Sequence, residues 1–358
     1  MQRAIVVTGG AGFIGCALAE KLREFGLPIV AIDNLHPQIH PGSKRPAGLA
    51  DFVTLVEGDV TQPGTWAEVL GRWYPEVVLH LAAETGTGQS LTEATRHADV
   101  NVVGTTAMLD AFAARKIVPS HILLTSSRAV YGEGAWRELG TGEIFYPGVR
   151  SHQMLANAQW SPSGPGGGVA EPLQHDARAV RPQPTSIYGA TKLAQEHILA
   201  AWCAAMQVPL SIFRLQNVYG PGQSPFNAYT GIITLFHRIA RKGERLEIYE
   251  DGSIGRDFVY IDDVVDALIA GLKIVPAVSR TLDVGSGRVT TIGEAASDIA
   301  RMHGAPEPEV CGKFRDGDVR WAVADVGALH DSLGVRAQVD FETGARRVGE
   351  WLVERGFA

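Results

Sequence analysis

The sequence predicts an α/β fold built on a doubly wound parallel sheet with a smaller mixed α/β lobe after it, and three observations carry that expectation. Five short runs rich in Val, Ile and Leu precede residue 128: AIVVTGG, PIVAIDN, FVTLVEGD, VVLHLAA and HILLTSS. Helix-like stretches separate them; the first places Ile14, Ala17, Leu18 and Leu22 on one face. A glycine cluster, TGGAGFIG at 8–15, sits between the first run and the first helix. Apolar runs without polar alternation are strands buried on both faces, and their exchange with helices implies βαβ crossovers.

Taken in order, the first strand feeds the glycine cluster. Gly10, Gly12 and Gly15 fit one three-glycine spacing, and Gly9, Gly12 and Gly15 fit the alternative. Either spacing allows a tight turn and brings backbone amides of a helix N-terminus against a pyrophosphate. The second strand ends in Asp33, eighteen residues beyond Gly15, where an acid binds the ribose hydroxyls of a dinucleotide. A carboxylate there repels a 2′-phosphate, and Asn34-Leu35-His36 supplies no Lys or Arg, so NAD is expected rather than NADP. Asp59 and Val60 close the third strand, beside the adenine. These constraints together describe a Rossmann-type domain over 1–215.

The fifth strand ends in Thr125, Ser126 and Ser127, followed by Arg128. Residues 133–184 then break the alternation with YPGVR, SPSGPGGGVAEP and RPQP, which is loop chemistry. A disordered insertion and a lid are both compatible with this; a partly ordered surface excursion is expected. A helix resumes at SIYGATKLAQEHILAAW, a strand at LSIFRLQNVYG, and helices near 230–241, 262–273, 291–303 and 341–355 follow. Residues 216–358 read as a second, substrate-binding lobe, with segments near 256–285 returning to the first domain.

Composition narrows the function. The 358 residues carry a net charge of −7, which leaves no footprint for nucleic acid. The three cysteines, Cys16, Cys203 and Cys311, have no metal spacing and fit a reducing compartment; Cys16 reads as a small buried filler. No metal site is expected. No run is long enough to span a bilayer, and the start is too short for a signal peptide, so a cytoplasmic protein is expected.

Tyr188 and Lys192 are four apart on one helical face. A phenol with a solution pKa near 10 is a poor base at neutral pH. A neighbouring ammonium and the positive nicotinamide of NAD favour the phenolate. Tyr188 would then take a proton from a sugar hydroxyl as hydride leaves the same carbon, with Ser127 bonded to the reacting oxygen.

The motifs TGGAGFIG, AIDNL, EGDV, HLAA, NVVGT, TSSRAVYG, YGATK, RLQNVYGPGQ, RDFVYIDD and GDVR occur in one order from end to end. In this the chain resembles extended short-chain dehydrogenase/reductases of the NAD-dependent nucleotide-sugar epimerase/dehydratase family. The resemblance implies Ser127, Tyr188 and Lys192 as the catalytic set, Lys192 also holding the nicotinamide ribose. It implies a dinucleotide site of Gly9, Gly12, Phe13, Ile14, Asp33, Asn34, Asp59, Val60, Leu81, Ala82 and Ala83, with Asn101 as a buttress. Glu84, Thr85, Ser127, Arg128 and Asn217 are implied on the sugar nucleotide. Arg256 and Arg320 would neutralise its phosphates, which guanidinium forks suit. A homodimer built on the helix around 104–116 and the one starting at Tyr188 is also implied.

The reaction is read partly by subtraction. The family's 4,6-dehydratases place an Asp-Glu pair directly after the catalytic Ser/Thr, and here those positions are Arg128 and Ala129. The epimerase-reductases of GDP-fucose synthesis use a Cys that this loop lacks. What remains suffices for C4 epimerisation of a nucleotide-activated hexose through a 4-keto sugar. A net dehydrogenase, a decarboxylase and a non-catalytic dinucleotide sensor are the alternatives. The stretches AETGTGQS, SSRAVYGEG and NAYTGI, with the long insertion, resemble bacterial dTDP-L-rhamnose 4-epimerases. That subgroup leads us to expect a C-P-x-C-like element in the insertion, where this chain reads SGPGGG. Arg128 has three readings at this stage: contact with the sugar, contact with the insertion, or solvent.

Overall fold

Side chains alternate between the two faces of each central strand, and the core divides accordingly. In the computed structural model, which describes residues 1–225 and 231–357, the first strand β1 (Gln2–Thr8) sends Ile5 and Val7 into one apolar cluster. Ala4 and Val6 go into the other. Both faces are therefore dry, which is why the run carries no polar alternation. The remaining strands are β2 (Ile29–Asp33), β3 (Thr54–Glu57), β4 (Trp73–His80), β5 (His121–Ser127), β6 (Leu210–Leu215) and β7 (Ser279–Val284). They form one seven-stranded sheet ordered β3-β2-β1-β4-β5-β6-β7. Every pairing in it is parallel.

Helices cover both faces. α1 (Phe13–Leu22) packs on the first cluster together with α6 (Ile261–Lys273), through Leu18, Leu22, Val264 and Leu268. The second cluster holds α2 (Pro63–Arg72), α3 (Gly104–Arg115) and α4 (Ile187–Met206), with Trp66, Phe112 and Leu199 fully buried. β7 and α6 both lie beyond residue 216 yet belong to this layer. Outside it, α5 (Ile232–Arg241), α7 (Ile292–His303) and α8 (Phe341–Glu354) pack with short strands, among them Gly255–Arg256 between Thr290–Thr291 and Trp321–Ala322. Among the described residues, no helix is long and apolar enough to cross a membrane.

The 133–184 excursion is built rather than loose. Trp136–Glu138 pairs antiparallel with Ile144–Phe145 and Ala170–Pro172, and a short helix spans His152–Ala156. Its anchor is Arg150, whose guanidinium reaches Glu133 at 3.0 Å and forks onto Glu250 at 2.8 and 2.9 Å. All three side chains are almost wholly buried, so the excursion is tied to the C-terminal lobe. Loop-like composition missed this because the ties come from distant residues. The stretch 163–168 closes on Glu138, which accepts from the amides of Gly166 and Gly168. A carboxylate thus organises the turn where a cysteine element was expected.

Candidate active site

The parallel strands deliver their carboxyl ends to one edge, and the groove opens there, where the order reverses between β1 and β4. Its lining includes Gly9, Gly12, Asp33, Asn34, Asp59, Val60, Leu81, Ala82, Ala83, Glu84 and Thr85. Phe13 and Ile14 open α1, and no side chain caps that helix, so its first amides are free for an anion. Gly9 adopts φ +66°, and a Cβ there would fall 2.8 Å from the Ala82 backbone. The turn therefore needs glycine at Gly9. At Gly12 the same construction meets only the Gly9 carbonyl, at 3.1 Å.

Asp33 is held by two backbone amides, Ala11 on Oδ2 and Leu35 on Oδ1, both at 3.0 Å. Asn34 donates to Asp59 at 3.0 Å, joining the ends of β2 and β3. The one arginine in the lining, Arg96, is paired with Glu84 and Glu93, both at 2.7 Å. Among the described residues the groove thus has a fixed carboxylate for ribose hydroxyls and no uncompensated arginine or lysine for a 2′-phosphate. The glycine cradle, the uncapped helix and this carboxylate fit NAD.

The three hydroxyls ending β5 separate. Thr125 donates to the His80 carbonyl at 3.4 Å, and Ser126 donates to the buried carboxylate of Glu196, itself forked by Arg214. Only Ser127 faces Tyr188. Burial makes the Tyr188 phenol harder to ionise than an ordinary tyrosine; the Ser127 hydroxyl and then the Arg128 guanidinium oppose this. Asn101 is fully buried and clamps the site: its oxygen accepts from the Glu84 amide, and its NH2 reaches the Glu84 carbonyl and Thr191 on α4.

Lys192 is 2% exposed, and burial pushes its ammonium down to about 7, against a smaller lift from Glu196. It donates to Gln195 at 2.6 Å; Gln195 in turn reaches Thr105, in a network with His80. The sequence reading passed over Gln195, although its position three residues after Lys192 puts both on one face.

On the substrate side the two arginines differ in their partners. Arg320 forks onto Asp251 at 2.7 Å and reaches Glu250 at 3.1 Å, so carboxylates already balance its charge. Arg256 is 7% exposed and donates to the carbonyls of Gly255 and Val319 at 2.8 Å, with no carboxylate partner among the described residues. Burial, then Arg128, bring it down to about 9. Of the two, Arg320 is already paired by carboxylates and Arg256 is bonded only to carbonyls among the described residues. Arg128 is half-buried and donates through Nε to Asn217 at 2.7 Å. Most of NAYTGI, residues 226–230, lies outside the described residues. No group of three or more metal-ligating side chains exists among the described residues.

Residues 5–148 and 160–285 match the NAD dependent epimerase/dehydratase family. The chain belongs to that family. It is 52% identical to the dTDP-L-rhamnose 4-epimerase of Burkholderia thailandensis, covering 98% of this chain and 95% of the relative. A probable UDP-glucuronate 4-epimerase of Rhizobium meliloti is 26% identical over 97% of this chain and 96% of its own. Among solved structures, the Thermus thermophilus UDP-glucose 4-epimerase in complex with NAD is 26% identical. It superposes with a TM-score of 0.76 over 99% of this chain and 100% of that one. The Thermotoga maritima UDP-glucose 4-epimerase with UDP-glucose is 25% identical, with a TM-score of 0.76 over 98% and 99%. Within this family the chain is an NAD-dependent nucleotide-sugar 4-epimerase, an isomerase.

Proposed function

We propose that this epimerase interconverts dTDP-L-rhamnose and its C4 epimer, the 6-deoxy-L-talose nucleotide. The observation that carries the substrate is the 52% identity to a dTDP-L-rhamnose 4-epimerase across nearly the whole chain. In support, Arg128 and Ala129 stand where elimination would need carboxylates.

In this reading Tyr188 takes the proton of the C4 hydroxyl, and Ser127 holds the same oxygen in its alcohol and ketone forms. Bound NAD supplies the hydride acceptor and then the donor. Lys192 grips the nicotinamide ribose. Arg256 and Asn217 hold the diphosphate firmly enough for the 4-keto sugar to turn over without leaving, and Tyr188 returns its proton to the inverted alcohol. The substrate lobe is 216–358. Assembly as a homodimer through α3 and α4, in the cytoplasm, belongs to the same proposal.

Incubation with dTDP-L-rhamnose deuterated at C4, followed by NMR, tests it. The expected product is inverted at C4 and keeps its deuterium, with no net accumulation of NADH. Tyr188→Phe should lower turnover at least a hundredfold, the scale of general base catalysis, and leave NAD binding in place. Loss of deuterium to solvent, or stoichiometric NADH, would remove the epimerase mechanism; inversion of UDP- or GDP-hexoses in preference would remove the substrate.

A further inference from the structure

A chain of buried polar groups runs from Lys192 to the glycine loop, and the epimerase chemistry above uses only its first member. Lys192 donates to Gln195 Oε1 at 2.6 Å, its one hydrogen bond among the described residues. The amide nitrogen of Gln195 reaches Thr105 Oγ1 at 2.9 Å and His80 Nε2 at 3.2 Å. His80 Nε2 lies 2.9 Å from the same Thr105 oxygen, and its Nδ1 lies 2.7 Å from Thr8 Oγ1. Thr8 closes β1 next to Gly9 and accepts from the amide of Ala82, which lines the groove. Thr8, His80, Thr105 and Gln195 are all fully buried.

Donor and acceptor roles fix which way the amide points. The Thr105 hydroxyl gives its proton to the Asn101 carbonyl at 2.6 Å, so its oxygen can only accept from Gln195. The NH2 of Gln195 therefore faces Thr105, and its carbonyl faces Lys192. We propose that Gln195 is the positioning residue of Lys192: oriented by Thr105 and His80, its carbonyl takes one N–H of the lysine and fixes the Nζ atom for the nicotinamide ribose. The proposal rests on the reading of Lys192 as the residue that holds that ribose and supports the Tyr188 phenolate, and Gln195 acts only through it. A neutral amide suits this task because it holds an ammonium without cancelling its charge. The carboxylate one residue on, Glu196, is already engaged by Arg214 at 2.7 and 3.0 Å and by Ser126.

Few other charged or titratable groups surround Lys192. Tyr188 and Glu196 share its helix, and Arg214 reaches Glu196 from β6. His80, from β4, is brought down to about 3 by burial and stays neutral through the working range. The His97 ring, from Ala94–Ala98, stands edge-on to Tyr188 at 6.5 Å. Arg128 opens the turn packed on the start of α4, where a Cβ on Gly189 would lie 2.4 Å from the Ala129 carbonyl oxygen.

A double-mutant cycle tests this, read as kcat and KM with dTDP-L-rhamnose and as NAD affinity by fluorescence titration of the NAD-free protein. Gln195→Met, similar in volume, should lower kcat and weaken NAD by about tenfold each, the scale of one hydrogen bond to a charged group. KM for the sugar nucleotide should stay in place. In a Lys192→Met background the same substitution should change neither quantity; equal losses in both backgrounds overturn the proposal, because a packing role does not need the ammonium. The pH profile of kcat adds a sign. Losing an acceptor disfavours the ammonium and gaining a carboxylate favours it, so the alkaline limb should fall in Gln195→Met and rise in Gln195→Glu, by about one pH unit each. Limbs that stay in place or move together overturn the proposal. Should Gln195→Met fail to fold, Thr105→Val, which removes the oxygen that orients the amide, is read instead. A loss that vanishes in the Lys192→Met background supports the role, and no loss or an independent one overturns it. If Lys192→Met alone turns over like wild type, the reading of Lys192 falls and the role of Gln195 with it; if Lys192→Met is impaired and the Gln195 losses are independent of it, only the role of Gln195 falls. If wild type fails to epimerise dTDP-L-rhamnose, the substrate reading falls while the NAD cycle still decides Gln195.

Discussion

Buried cations set the character of the site at the scale of single residues. Lys192 loses hydration on folding and gains a neutral amide partner in Gln195 and only a small lift from Glu196, so its folded value of about 7 lies well below the ~10.4 of an unfolded chain. Between those values the unfolded chain binds a proton that the folded chain does not. Stability of the NAD-free protein should therefore rise as pH increases from about 7 toward 10. Lys192→Met should remove that rise, and unfolding midpoints of both proteins across that range check it; parallel profiles would contradict the assignment. The strand-end hydroxyls make a related point. Thr125, Ser126 and Ser127 are chemically near-equivalent in sequence, yet two serve a carbonyl and a buried carboxylate and one serves the phenol.

At the scale of elements, the excursion depends on a buried charge network rather than on propensity. Arg150→Met would leave Glu133 and Glu250 as buried carboxylates without their shared cation, a change that costs about 3–5 kcal/mol. Denaturant unfolding should show that loss, and acidification should recover part of it as Glu133, already pushed up by burial, takes a proton. A loss below about 1 kcal/mol would mean the network is solvated. The turn around Glu138 follows the same logic: the backbone amides of Gly166 and Gly168 converge on one carboxylate oxygen, which holds the turn without cysteine chemistry. α4 joins the two halves of the site, with Lys192 and Gln195 facing β4 and Thr191 held by Asn101.

Over the whole molecule, the sheet places glycine loop, ribose acid, serine and phenol along one edge. NAD should accordingly stabilise the protein by about 2.7 kcal/mol at a hundred times its Kd. NADP at equal concentration should give less, because its 2′-phosphate would meet Asp33 with Arg96 already paired. Thermal shift with both cofactors checks this, and Asp33→Asn should narrow the gap. The sheet, the crossover helices and the cofactor groove were legible in the chain because their signals are local: apolar runs, 3.6-residue spacing, a glycine turn before a helix, an acid at a strand end. The sequence by itself thus determined the Rossmann layer and the NAD site, and it put Ser127, Tyr188 and Lys192 forward as one set. Only the tertiary structure decided that Arg320 is paired with Asp251 and Glu250, that Arg256 has no such ion pair among the described residues, and that Arg128 is bonded to Asn217. Those outcomes depend on which charges meet across gaps of tens to hundreds of residues, and Coulomb energy follows distance in space, which no local pattern encodes.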